Sequence, residues 1–188
     1  MNLIHRIIVL FSFIAITSAC TSSLAPPLEV EKPEMGMVFG NIQSGLLMTG
    51  VTIHRYGSFY LDPLWPSPKV QVYPNGDFLA VNLTPGKYYL ASFTASRRDK
   101  KSTTFKMSNI NLKPYQHVFT VKPGDMKYAG SYRLSGKLVS DKDAKGDDFS
   151  IRWNRLPGER EILRNLFEVT NGTGWQQRID RRLKELRV

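Results

Sequence analysis

Lys69-Val-Gln-Val-Tyr73, Pro74-Asn-Gly76, Asp77-Phe-Leu-Ala-Val-Asn-Leu83, Thr84-Pro-Gly-Lys87 and Tyr88-Tyr-Leu-Ala-Ser-Phe-Thr94 follow one another without a gap, and their reading decides the fold. Apolar side chains recur at a spacing of two in the flanking segments, as in strands with one buried face. Pro-Asn-Gly is a reverse-turn signal, because proline presets φ at its corner and glycine tolerates positive φ. A hairpin is predicted over 69–83, and Thr84-Pro-Gly-Lys87 turns the chain into the next strand.

The same pattern extends both ways. Met35-Gly-Met-Val-Phe-Gly-Asn-Ile-Gln43 and Gly50-Val-Thr-Ile-His-Arg-Tyr56 precede it, the second with Val51 and Ile53 on one face and Thr52 and His54 on the other. Tyr115 to Val121, the turn Lys122-Pro-Gly-Asp125, and Met126 to Leu138 follow it; Gly130 and Gly136 mark a bulge or bend. Asp147 to Trp153 is a last strand, with Phe149, Ile151 and Trp153 alternating on one face. Seven or eight short strands separated by Gly/Pro turns predict an antiparallel sandwich or barrel. The pairing register is expected to be set at Pro74-Asn-Gly76 and the two Pro-Gly turns.

Near Pro157 the period lengthens from two to 3.6. Pro157 to Glu168 places Ile162, Leu163, Leu166 and Phe167 on one stripe after a proline and acidic start, and Asn171-Gly172 stops it. Thr173 with Gln176 reads as a capping box for a second helix, whose stripe is Trp175, Ile179, Leu183 and Leu186. Helices are expected near 158–169 and 174–186. The predicted fold is mainly β, an antiparallel β-sandwich over 35–153 with a C-terminal helical hairpin, 154–188, packed on it. A surface pair awaiting a partner is the alternative. About 155 residues suit one domain with a sizeable core.

Ahead of this domain, His5 and Arg6 precede an apolar run from Ile7 to Ile16, too short to span a bilayer, and Thr17-Ser18-Ala19-Cys20 ends it with small residues. This segment resembles the processing site of bacterial lipoproteins, although Thr17 stands where leucine is usual. The resemblance implies a signal peptide over 1–19, a diacylglyceryl group on Cys20, and acylation of the new amino terminus. Several acyl chains anchor stably where one does not. Secretory cleavage leaving a free thiol, or an uncleaved apolar anchor, are the rival readings. Thr21 follows the cysteine rather than the aspartate typical of inner-membrane retention, so the resemblance favours the periplasmic face of an outer membrane if the host is Gram-negative. Residues 20–34, with three prolines, read as the lipidated tether.

Leu83-Thr-Pro-Gly-Lys-Tyr-Tyr-Leu90 resembles a strand turn of carboxypeptidase-regulatory-like and transthyretin-like sandwich modules. Phe119 to Ser131 resembles a recurrent piece of small bacterial lipoproteins. The likeness covers 36–138. It implies a binding, adhesion or structural role and carries no catalytic residue onto this chain.

Chemistry-bearing motifs are sparse. Cys20 is the single cysteine, so disulfides do not contribute, and His54 and His117 are the only histidines after the signal. No metal site or cofactor is expected. His54 reads as an exposed sheet residue and His117 as a half-buried imidazole. Asp141-Lys-Asp-Ala-Lys-Gly-Asp-Asp148 begins like a calcium loop but has Lys145 and Arg152 where oxygen ligands are required. Glu159, Glu161 and Asp180 are the acids to weigh as a pair, but Glu159 and Glu161 are two apart on a helix and do not share a face, and the sequence gives no sign of a cleft flanked by two carboxylates.

Charge is the strongest remaining feature. The chain carries a formal +10, and losing Arg6 with the signal leaves about +9. Arg97, Arg98, Lys100 and Lys101, with Lys106 nearby, are expected in a loop; Arg178, Arg181, Arg182, Lys184 and Arg187 lie on the last helix. Export argues against nucleic acid as their partner. The clusters are expected either to attract anionic lipid or peptidoglycan, or to act as solvated surface. Taken together, these features predict a non-enzymatic envelope lipoprotein, held to the bilayer through Cys20 and acting as a binding or structural module for an envelope protein or polymer. A polysaccharide-processing hydrolase with an atypical carboxylate site is the alternative.

Overall fold

The computed structural model describes residue 29 and residues 31–56, 67–96, 103–106, 118–136 and 149–187. Its strands are β1 (Gly36–Gln43), β2 (Leu47–Arg55), β3 (Gln71–Val72), β4 (Asp77–Leu83), β5 (Gly86–Ser96), β6 (Thr103–Lys106), β7 (Val118–Val121), β8 (Met126–Gly136) and β9 (Phe149–Asn154). Two helices follow, α1 (Glu159–Val169) and α2 (Gly174–Glu185). One sheet has the order β3-β4-β1-β8-β9; the other has β2-β5-β6, with β7 also paired to β5. The two sheets face each other as an open sandwich, and the helical hairpin lies on the outer face of the five-stranded sheet.

Strand β1 shows how three layers arise from one run of residues. Val38 and Ile42 enter the core between the sheets with Ile53, Phe78, Leu90 and Phe93. Met37 and Phe39 alternate to the other face, where they meet Ile162, Leu163, Leu166, Trp175 and Ile179. A strand buried on both faces reads as a nearly continuous apolar run, as Met-Val-Phe does. Both helical stripes therefore cover the parent sheet, as the packed-hairpin reading expected. Phe167, Leu183 and Leu186 rim this second core half-buried.

The Pro74-Asn-Gly76 hairpin forms as expected: Tyr73 N donates to Asp77 O at 2.8 Å, and Gln71 and Val72 pair with Leu79 and Phe78. The two Pro-Gly turns do something else. Leu83 ends a strand of one sheet and Gly86 begins a strand of the other; Lys122–Asp125 joins β7 to β8 across the same gap. They are corners between sheets, and the strands they join do not pair with each other. The pairing is mostly antiparallel, as expected, and the crossings account for the one exception, β8, which re-enters the five-stranded sheet parallel to β1. Gly130, at φ +109°, sits at the register shift of that parallel pair, where the bulge was expected.

Four further corrections concern local detail. Thr103–Lys106 is a strand, paired with Ser92–Ala95, and Lys106 therefore ends a sheet element. His54 is only 7 % exposed, because Tyr89 stacks on its ring at 5.9 Å and Ser67 covers its Nδ1 side. The capping box does not close: Thr173 Oγ1 donates back to Thr170 O at 2.6 Å, and Gln176 Oε1 accepts from Gly172 N instead of Thr173 N. Trp153 shares the β9 pattern with buried Ile151 yet is 60 % exposed, its ring lying over Gly130 at the rim and edge-on to Tyr132.

Candidate functional site

A group of charged and polar residues gathers where the β7–β8 corner approaches α2. An open groove of about 680 Å³ lies there, with Thr120, Lys122, Asp125, Lys127 and Tyr128 on the strand side. Glu159 of α1 and Arg178, Arg181, Arg182 and Glu185 of α2 form its opposite side. The corner projects Lys122 beyond the sheet, and helical spacing brings Arg178, Arg181, Arg182 and Glu185 to one side of α2.

Arg178 is taken into the architecture. It forms an ion pair with Glu31, donates to Pro33 O at 3.1 Å, Gly124 O at 3.2 Å and Met35 O at 3.4 Å, and lies 5.0 Å from the Trp175 ring centroid. Residues 31–35 are thereby strapped across the corner and the start of α2. Glu31 comes so close to Gly174 that a Cβ there would collide with its carboxylate. The first turn of α2 has no acidic residue of its own, so Glu31 provides the negative charge favoured at a helix N-terminus. Asn82, in the left-handed region at φ +56°, accepts from Lys32 N at 3.1 Å and continues the strap along β4.

Arg182 donates to Glu159 at 2.9 Å and to Glu185 at 3.0 Å, and these two carboxylates hold its guanidinium even more firmly protonated than usual. Lys184 pairs with Asp180 at 2.6 Å and does not line the groove. Arg181 and Lys122 are exposed and Lys127 half-buried, and none of the three carries an ion pair among the described residues. Of the five C-terminal cations singled out from sequence, Arg178, Arg181 and Arg182 thus share the groove, Arg187 falls beyond the end of α2, and Arg181 is the one of those on the groove without an ion pair among the described residues. Lys122 and Lys127 were not singled out; being apart in sequence and in a strand context, they form no run. Tyr128 closes the strand side, its hydroxyl 2.9 Å from Ser131 Oγ, and burial followed by the nearby Glu159 raises its pKa.

A second polar cluster is buried. Asp77 accepts from Asn41 at 2.7 Å, Asn75 at 2.6 Å and Asn165 at 2.9 Å, tying β1, the hairpin turn and α1 to one carboxylate. It is enclosed and structural in geometry. Glu159 and Glu161 stay on different sides of α1, with Glu161 exposed. No group of three or more His, Cys, Asp or Glu able to hold a metal occurs among the described residues. Cys20, Arg97, Arg98, Lys100, Lys101, His117 and Asp141 to Asp148 lie outside the described residues. No helix among the described residues is long and apolar enough to cross a membrane.

The chain matches no family model, no curated protein and no solved structure.

Proposed function

We propose that this protein is a non-enzymatic lipoprotein of the bacterial envelope, tethered through Cys20, whose sandwich serves as a binding or structural module. The observation that carries the reading is the apolar run Ile7–Ile16 ending in Ser18-Ala19-Cys20, joined through a proline-rich tether to the strap at residues 31–35. A strap bound by Arg178 and Asn82 transmits the position of the anchor to one end of the sandwich, the end that bears the groove. The basic residues Arg97, Arg98, Lys100, Lys101, Arg178, Arg181, Arg182 and Lys184 belong to this reading as positive charge drawn to an anionic envelope surface, Arg178, Arg182 and Lys184 adding to it net of their ion pairs. Thr21 favours the outer membrane as the site of anchorage.

In the native host, labelled palmitate should enter the protein and be lost in Cys20→Ser, with the variant released from the membrane fraction. An unlipidated mature mass for the wild-type protein, or unchanged labelling in Cys20→Ser, overturns the reading. Crosslinking in the intact envelope then identifies the partner class, a protein or a wall polymer.

A further inference from the structure

Lys122, Lys127 and Arg181 reach the same groove from three places in the chain: an inter-sheet corner, the start of β8 and the middle of α2. None has an ion-pair partner among the described residues, whereas the neighbouring Arg178 and Arg182 are neutralised by Glu31, Glu159 and Glu185. Among the described residues the only other carboxylate on the groove is Asp125, whose Oδ2 accepts the Lys122 backbone N–H at 3.4 Å. The groove therefore carries uncompensated positive charge, in a wall otherwise stiffened by ion pairs.

We propose that this groove binds a phosphate ester, with Lys122, Lys127 and Arg181 contacting the phosphate oxygens. Three cationic donors approaching from separate parts of the chain suit a tetrahedral phosphate, whose oxygens point in different directions, better than a carboxylate, whose two oxygens lie in one plane. The groove, at about 680 Å³, lies within the roughly 300–1,000 Å³ range of small-ligand sites and leaves room beyond a bare phosphate for its alcohol. Arg182, Glu185 and Thr120 also line the groove and match hydroxyl groups.

The source of the ester rests on the Cys20 reading. The 11 steps from Cys20 to Glu31 span at most about 40 Å, so an anchor at Cys20 keeps the strap and the adjoining groove close to the membrane surface. Phospholipid headgroups are the phosphate esters abundant there.

The test uses the full chain in neutral maltoside micelles, titrated separately with inorganic phosphate, glycerol 3-phosphate and monomeric dihexanoyl phosphatidylglycerol, and followed by the amide resonances of 122–127 and 178–185. Saturable shifts with the ester probes, stronger than with inorganic phosphate, are expected, and they should weaken at high salt. Affinity should fall about fivefold for each of Lys122→Gln, Lys127→Gln and Arg181→Gln, and stay unchanged in Arg164→Gln, an exposed cation of α1 outside the groove. Preference for the phosphatidylglycerol probe assigns the headgroup as ligand, and equal response to glycerol 3-phosphate assigns a soluble ester; both support the site. No saturable shift with any probe, or a triple variant that binds as the wild type does, overturns it. Cys20→Ser retains the groove, so its phosphate binding reports on the site independently of lipid attachment.

Discussion

Arg178 of α2 holds Glu31 of the N-terminal strap in a largely enclosed ion pair, while its guanidinium also donates to the carbonyls of Pro33, Met35 and Gly124. One side chain thus joins the entering chain, the β7–β8 corner and the second helix. Removing either partner leaves a half-buried charge opposite unsatisfied groups, which is costlier than the net worth of the pair itself.

Arg178→Ala should destabilise the protein by about 2–4 kcal/mol, since it loses the pair, the carbonyl contacts and the packing on Trp175. Glu31→Ala should cost less, and a double-mutant cycle should return a coupling of about 1–2 kcal/mol. Urea unfolding of the four proteins measures it, and strictly additive effects would contradict the clamp.

Asp77 accepts three side-chain amide hydrogen bonds while almost fully buried, and only an acceptor satisfies all of them. Asp77→Asn replaces an acceptor by a donor facing the donors of Asn75 and Asn165, and should cost about 1–3 kcal/mol despite its matching shape. Chemical denaturation distinguishes this from a merely solvated carboxylate, for which the substitution would be neutral.

A Cβ added to Gly40 would stand 2.6 Å from the Gly130 carbonyl oxygen and 2.6 Å from Phe78 Cζ. Gly40→Ala should therefore spread the parallel β1–β8 pair and lower stability by about 1–3 kcal/mol. Gly45→Ala, with open space around its Cβ, should be close to neutral. Thermal midpoints of the two variants give the contrast, and equal midpoints would refute the close approach.

Burial raises the Tyr132 pKa well above the ordinary value near 10, and its hydroxyl donates to Ala129 O at 2.7 Å. The folded protein then keeps a proton that the unfolded chain releases, so this contribution is complete below pH 10 and declines above it. The slope approaches about 1.4 kcal/mol per pH unit, and Tyr132→Phe should flatten it. On the acid side, desolvation lowers the His54 pKa, so stability should fall as the pH drops below 6.5, where the unfolded chain takes up the proton. Unfolding free energies measured across both ranges test the two signs; an unchanged alkaline slope in Tyr132→Phe would remove Tyr132 as its source.

Periodicity alone determined most of the elements. Alternation marked β1, β2, β4, β5, β8 and β9, and the change of period near Pro157 marked both helices, because the burial of one strand or helix face is written into neighbouring residues. The short apolar run ending at Cys20 is likewise a local pattern. Only the tertiary structure decided that Thr84-Pro-Gly and Lys122-Pro-Gly turn corners between sheets, since a Pro-Gly step has the same local chemistry whichever strand comes to pair beyond it. It also decided that β8 runs parallel to β1 and that His54 is covered by Tyr89. The cations divide in the same way: sequence placed Arg178, Arg181, Arg182 and Lys184 on one helix, but Glu31, Glu159, Glu185 and Asp180 neutralise three of them. Lys122 and Lys127 join Arg181 only across the groove, because charge compensation depends on distances between residues far apart in the chain.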